Sequence, residues 1–460
     1  MNETTSLIDK KGKDVEDTTE ILSSNESGDR ISYDFAKGDH RMMTKLLGYT
    51  QAILLILFFF ATSYSSEDYV DDEYVIFRDV MVMLLLGFGF LMTFLSKYGL
   101  GAVGFTMLMT VLAIQLNIFV EWGCRVVYYN LGSDGSGDDG DGDGDDDTGF
   151  PLNLRVPTLI DGEFAAATLL ITFGAIIGRA TPVQMVVCAI CQSFFYASNK
   201  VFIVLGVLGA EDVGGSITIH MFGAVFGLAV SYMLGPPKPS SLKNNAPNAT
   251  SDLTAFIGTT LLWVYWPSFV GATETGVSMN ENVCVIHTVL ALLGSTFATF
   301  YLSQTLCHGK FDPVHIANST LAGGVAVGSS ARLSMTPGGA LGLGVVAGLV
   351  SVYGYVYSSA KFETIGIYDT CGVGNLHGWP SILGGLASIV FVAIDPGADF
   401  LTYGAVSQCL RQLAAVVSCV LLASVTGYVT GFAMTKVGVE SGDGPDEYDD
   451  GVWWEGEYFY

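Results

Sequence analysis

The sequence predicts an all-α, polytopic membrane protein of about twelve transmembrane helices, and three observations carry that prediction. Half of the residues are apolar and only 14% are charged, against roughly 25% charged in soluble domains. The mean hydropathy is +0.47. Apolar runs recur through residues 46–435, each near the roughly 20 residues needed to cross a hydrocarbon core of about 30 Å. Backbone hydrogen bonding in lipid admits only helices or closed barrels, and runs of this length are not barrel strands.

Taken in order, residues 1–45 are polar and of mixed charge, and are expected to form a disordered cytoplasmic segment with no cleavable signal peptide. Spans are expected near 46–64, 79–96, 102–122, 160–178, 183–208, 215–234, 252–270, 282–304, 313–331, 337–358, 371–394 and 402–435. With twelve spans both termini share a side. Placing them in the cytoplasm collects fourteen of the twenty Lys and Arg there, seven within 1–45 and the others at Lys97, Arg179, Lys238, Lys243, Lys310, Lys361 and Lys436. The positive-inside rule favours this orientation.

The connection 131–149 holds eight Asp and seven Gly. It resembles a calcium loop only faintly, lacking the Glu at the twelfth position, and is expected to be a solvated extracytoplasmic linker. The tail 436–460 is acidic with interleaved aromatics, by default disordered, and able to dock a cytoplasmic partner.

A formal charge of −25 excludes polyanionic partners such as nucleic acid and disfavours binding to anionic lipid through a basic patch. Nearly all of the eight Cys fall in apolar runs, where they act as small hydrophobes. The Cys188/Cys191 pair lacks the second pair that zinc or redox use would need.

Ionisable side chains at membrane depth are functional candidates. Four of the six His lie in or beside spans: His220, His287, His315 and His377. Two share a pattern, D-x-x-G-x-x-x-x-H, from Asp212 to His220 and from Asp369 to His377. Eight helical residues rise about 12 Å. One span runs inward from an outer Asp and the other outward from an inner Asp, so both rings approach the midplane. An inverted repeat of five helices, spans 2–6 and 7–11, would produce this arrangement. Asp212 and Asp369 stand where a carboxylate caps free N–H groups at a helix start.

Two neutral imidazoles would offer a short polar ladder in an apolar lumen. A cation of ammonium size loses several kcal/mol on entering such a lumen, whereas a small neutral hydrogen-bonding molecule escapes most of that cost. A proton relay, a metal site and purely structural histidines are the rivals. No third ligand stands at metal spacing beside either ring.

The segment Gly215-Ser-Ile-Thr-Ile-His220-Met-Phe-Gly-Ala-Val-Phe-Gly-Leu228 resembles the fifth-helix signature of the Rhesus (Rh) glycoproteins, in the ammonium transporter/Rh superfamily. So do Leu262-Trp-Val-Tyr-Trp-Pro-Ser-Phe269, the run from Asp312 to Gly328, the run from Asp369 to Gly378, and Gly87–Phe94. The resemblance spans about 75–395.

It implies a homotrimer with one ammonia pore per subunit, in the plasma membrane or an intracellular one, with no cofactor, no metal and no enzymatic step. His220 and His377 match the paired pore histidines, and Phe164 and Phe269 a stacked phenylalanine gate. Asp212 matches the acid that organises recruitment and deprotonation, while Glu163 matches an outer-vestibule carboxylate. Asp252, Asp312 and Glu363 match inner-vestibule acids. Ammonium would be recruited, deprotonated and conducted as ammonia.

Electrogenic ammonium transport, passage of methylammonium or carbon dioxide, and a structural or sensing role remain alternatives. Departures from the family pattern are Lys200 in place of an acid, Val225 in place of Tyr, Val270 in place of Asn, and Trp379 in place of a smaller apolar residue.

Overall fold

The computed structural model describes residues 37–64, 72–132, 148–274, 278–395, 404–437 and 445–455. The acidic stretch 133–147 and the expected disorder of 1–36 lie outside the described residues.

Eight helices come first: α1 (Lys37–Ala61), α2 (Glu73–Phe94), α3 (Gly99–Leu131), α4 (Val156–Ile176), α5 (Pro182–Val207), α6 (Ser216–Leu234), α7 (Ala249–Glu274) and α8 (Asn280–Leu306). Next is α9, in two pieces, Pro313–Ser319 and Ala322–Val327. Three more complete the bundle: α10 (Pro337–Thr364), α11 (Gly374–Ile394) and α12 (Ala405–Met434). All except α9 are long and apolar enough to cross a membrane. We call the side where α1 begins and α12 ends the terminal face.

Helix starts follow local chemistry. Thr181 caps α5 in a reciprocal box with Gln184, and Thr336 caps α10. Both are followed by Pro at the first helical position, where a missing N–H costs nothing. Asn248 caps α7.

The two halves repeat one order of features. A Thr-Pro helix passes into wide π turns in its later part (Asn199–Val207 and Gly354–Ser358), then an Asp-x-x-Gly turn leads into a His-bearing helix that opens with another wide turn (Ser216–Met221 and Gly374–Gly378). Gly215 and Gly372 occupy equivalent places with φ of +69° and +73°. A side chain is strained in that left-handed region.

Helix α4 is the most buried span and α1 the least. Ile53, Leu55, Ile56, Phe59 and Phe60 of α1 are all exposed, an apolar surface that suits lipid and not water. Small residues bring the interior helices together. A Cβ on Gly223 of α6 would lie 2.7 Å from the Thr168 carbonyl of α4, and one on Gly344 of α10 2.0 Å from the Ala291 carbonyl of α8.

Three expectations need correction. Residues 37–45 are helical, not disordered. The buried Asp39 accepts from Thr181 Oγ1 (2.8 Å) and Val183 N (3.2 Å), docking α1 onto the start of α5. The run 313–331 is not one helix. It breaks at Thr320–Leu321, whose Thr320 carbonyl accepts from Ser295 Oγ (2.7 Å) on α8.

Beside the helices, the short segments Thr62–Tyr64 (β1) and Leu152–Leu154 (β2) pair in parallel, a minor addition to an all-α bundle. Finally, residues 445–455 of the tail fold back on the terminal face. Tyr448 N donates to the Gly178 carbonyl (2.7 Å), Lys238 N donates to Glu447 (2.6 Å), and Asp450 accepts from Gly101 N (2.6 Å). Polar atoms of two loops and of the first turn of α3 thus hold a segment whose charge alone suggested a solvated tail.

Candidate functional site

The site is built from helices that start in the bundle and not at its edge. At α6, Asp212 Oδ1 accepts from Ile217 N (2.9 Å), and Oδ2 accepts from Thr218 N and Thr218 Oγ1 (2.7 Å each). Ser329 Oγ also donates to Asp212. At α11, Asp369 accepts from Val373 N (2.9 Å) and Gly374 N (2.8 Å). Both carboxylates therefore satisfy N–H groups that a helix start leaves free. Burial holds the Asp212 carboxyl above its usual range against these hydrogen bonds, and raises that of Asp369 to about 6.

One turn further on, the two histidines meet. The ring centroids of His220 and His377 are 5.2 Å apart with planes 16° from parallel, and both side chains are buried. Trp266 stacks on His220 at 5.6 Å, and Phe88 lies parallel to His377 at 6.3 Å. Both nitrogens of His220 and Nδ1 of His377 have no hydrogen-bond partner in the protein.

Above His220, Phe269 is 5.8 Å from its ring, and Phe164 meets Phe269 at 5.2 Å. The Phe rings are not stacked. They meet edge to face at 85°, the arrangement that the ring quadrupole favours.

A cavity approaches this axis from each face. On the terminal face, about 260 Å³ is bounded by Asp252, Glu363, Asp369, Phe88 and His377. On the opposite face, about 640 Å³ is bounded by Phe164, Thr218, Asp212, Glu211, Glu274 and Arg332. Neither cavity includes His220, Phe269 or Trp266 in its wall, so side chains close the path between them.

Other expected residues separate from the site. Glu163 does not border the opposite-face cavity, is fully buried, and has no partner for either oxygen. Asp312 caps α9 through Val314 N (2.8 Å), leaving Pro313 and Val314 to border the terminal cavity. His287 lies away from the axis, with its ring nitrogens 2.8 and 3.0 Å from the carbonyls of Ala331 and Met335. Val270 is buried against Gly214, and Trp379 is partly exposed beside Phe362.

Sequence reasoning missed the charge network on the opposite face. Lys200 bonds Glu121 (2.8 Å) and Asp161 (2.5 Å), and Arg125 bonds the same two carboxylates (2.7 and 3.1 Å). Two cations thus face two anions, and the Lys200 charge is balanced locally. Arg332 grips Glu211 (2.7 Å) and Glu274 (2.9 Å). Burial opposes the Arg332 charge, yet these carboxylates hold its guanidinium above its usual value, while burial raises the Glu211 carboxyl. A charged Glu121 inside an apolar run was the available signal, because such a group requires a partner.

A polytopic helical bundle with a cavity on each face and paired histidines between them defines a membrane protein built around a single central axis. The chain belongs to the Ammonium Transporter Family, whose model matches residues 151–441. Within it the chain is an Rh glycoprotein. It is 38% identical over 392 residues to Ammonium transporter Rh type A of Bos taurus, covering 84% of each chain. It is 35% identical over 414 residues to Ammonium transporter Rh type B of Homo sapiens, covering 85% of each. The solved Rh50 of Nitrosomonas europaea, described as a channel of the Rhesus family, superposes with a TM-score of 0.70 at 31% identity, over 84% of this chain and 92% of that one. Mep2 of Candida albicans, at 21% identity and a TM-score of 0.65, shares the fold.

Proposed function

We propose that this protein conducts ammonia across a membrane, taking up ammonium on the face opposite its termini and releasing it on the terminal face. One observation carries the reading: three imidazole nitrogens of His220 and His377 are buried without a protein partner, in a ring pair packed among Trp266, Phe269 and Phe88. A buried polar atom left unpaired costs about 1–3 kcal/mol. A small molecule that both donates and accepts recovers that cost, and ammonia does both. Ammonium offers only donors and would leave its hydration shell at a desolvation cost of several kcal/mol.

The proton therefore leaves to water in the opposite-face cavity, where Asp212 and Phe164 border the path, and ammonia alone passes Phe269. It threads the histidine pair and takes a proton from water in the terminal cavity. Asp252 and Glu363 there hold cations near the mouth, as an acidic vestibule does. The terminal face is cytoplasmic in this reading, because most Lys and Arg gather there. Three subunits, each with its own pore, form the unit that the family resemblance implies.

The test is ammonium-driven internal pH change in proteoliposomes. Intact protein should accelerate it, and His220→Ala and His377→Ala should each remove most of the gain. Unaltered flux in both variants rejects the reading. Current that scales with flux would favour the electrogenic alternative, in which a proton crosses along the histidine pair.

A further inference from the structure

A third histidine, off the pore axis, meets two other ligand-type side chains. Cys307 follows the end of α8, Asp312 caps α9, and His315 stands in its first turn. His308 and Gly309 between them have φ of 55° and 83°, which folds the chain back on itself. The Cys307 sulfur, a carboxylate oxygen of Asp312 and a ring nitrogen of His315 lie within 4.8 Å of one another. Cys307 Sγ is 3.9 Å from His315 Nδ1. Ser303 Oγ lies 3.1 Å from the same nitrogen and accepts from Asp312 N (3.0 Å), holding the ring in place.

We propose that Cys307, Asp312 and His315 bind a borderline-soft divalent cation of the zinc type on the terminal face. Zinc takes sulfur at about 2.3 Å and imidazole nitrogen at about 2.0–2.1 Å, so tetrahedral neighbours stand roughly 3.6 Å apart. The observed sulfur–nitrogen distance is a few tenths of an ångström longer, which a rotation of either side chain closes. One thiolate, one imidazole and one carboxylate select against magnesium and calcium, which need oxygen ligands throughout. Three protein ligands leave the fourth position to water. Binding displaces the Ser303 hydroxyl from Nδ1 and releases the thiol proton to solvent, so affinity rises with pH.

The site adjoins the terminal cavity through Pro313 and Val314. The His315 ring is 5.8 Å from that of Tyr355, whose hydroxyl donates to the Cys371 and Gly372 carbonyls just before the half-helix of His377. With the thiol proton released, a bound dication adds one net positive charge, which cancels the negative charge of Asp312 next to the cavity bounded by Asp252 and Glu363 and so weakens cation accumulation there. This consequence rests on the ammonia-conduction reading; the binding itself does not.

The experiment titrates the full-length protein, free of any affinity tag, with Co²⁺ and then with competing Zn²⁺. Wild type should take up one equivalent per chain with a thiolate-to-cobalt absorption band. Cys307→Ser should abolish the band. Asp312→Asn, which keeps the helix cap, should weaken binding at least about tenfold. No band in wild type, or a band that persists in Cys307→Ser, overturns the site. In liposomes, Zn²⁺ on the terminal face should slow ammonium-driven pH change in wild type and not in Cys307→Ser. Full occupancy with unchanged flux overturns the inhibitory consequence alone, whereas absence of flux without zinc counts against ammonia conduction.

Discussion

His220 and His377 stack 5.2 Å apart in the centre of the bundle although α6 and α11 begin beside cavities on opposite faces. Each ring is aimed by its own Asp-capped turn, so the pair is a product of two equivalent pieces of local geometry. Replacing one ring with Ala removes the hydrogen bonds it would give a passing ammonia. At about 1–1.5 kcal/mol, flux should fall roughly tenfold. Because a molecule between the rings uses both, the double variant should be barely slower than either single one. Stopped-flow pH traces on reconstituted protein measure this.

Asp212 should matter for stability as well as for transport. Asp212→Ala leaves Ile217 N, Thr218 N and Ser329 without their acceptor, at about 1–3 kcal/mol for each buried group. A clear drop in thermal midpoint is expected, with Asp212→Asn falling between the two. An unchanged midpoint for Asp212→Ala would mean that the carboxylate does not hold the turn.

Asp369 should make stability depend on pH. Burial raises its carboxyl from 3.8 to about 6, so between those values the folded chain binds more protons than the unfolded one. Stability should therefore be highest below about pH 4 and decline as pH rises through 6, by about 1–3 kcal/mol. Thermal melts of wild type and Asp369→Asn from pH 4 to 7 should show this slope in wild type and a shallower one in the variant, where the raised Asp212 and Glu211 carboxyls remain.

Lys200 is expected to be a structural requirement. Lys200→Met removes one of two cations facing Glu121 and Asp161, and an uncompensated buried charge costs about 3–5 kcal/mol. Folded yield should fall sharply. Adding Glu121→Gln should restore much of it by rebalancing the network.

The docked tail should respond to Asp450. Its carboxylate accepts from Gly101 N at 2.6 Å, and Tyr448 packs against Gly178. Asp450→Ala should expose 445–455 to limited proteolysis at least severalfold faster, with the helical bundle left intact.

The spans were legible because burial in lipid demands long apolar runs, which composition alone reveals. α9 was not, because its break at Thr320–Leu321 is set by a carbonyl turned to Ser295 on another helix. Residues 37–45 and the tail were misread for the same reason. Asp39, Tyr448 and Asp450 look solvated in sequence and are buried only through partners distant in the chain.

What the sequence determined by itself is local: the helices, the paired Asp-x-x-Gly turns, and a histidine eight residues beyond each Asp. A short-range pattern needs only its own backbone geometry to be read. Tertiary structure decided the rest. It brought the rings together, set Phe164 edge-on to Phe269, withdrew Glu163 from the cavity wall, neutralised Lys200, and gathered Cys307 with Asp312 and His315. Distances between side chains on different helices depend on how the bundle packs, and in this chain close helix contacts at residues such as Gly223 and Gly344 set that packing.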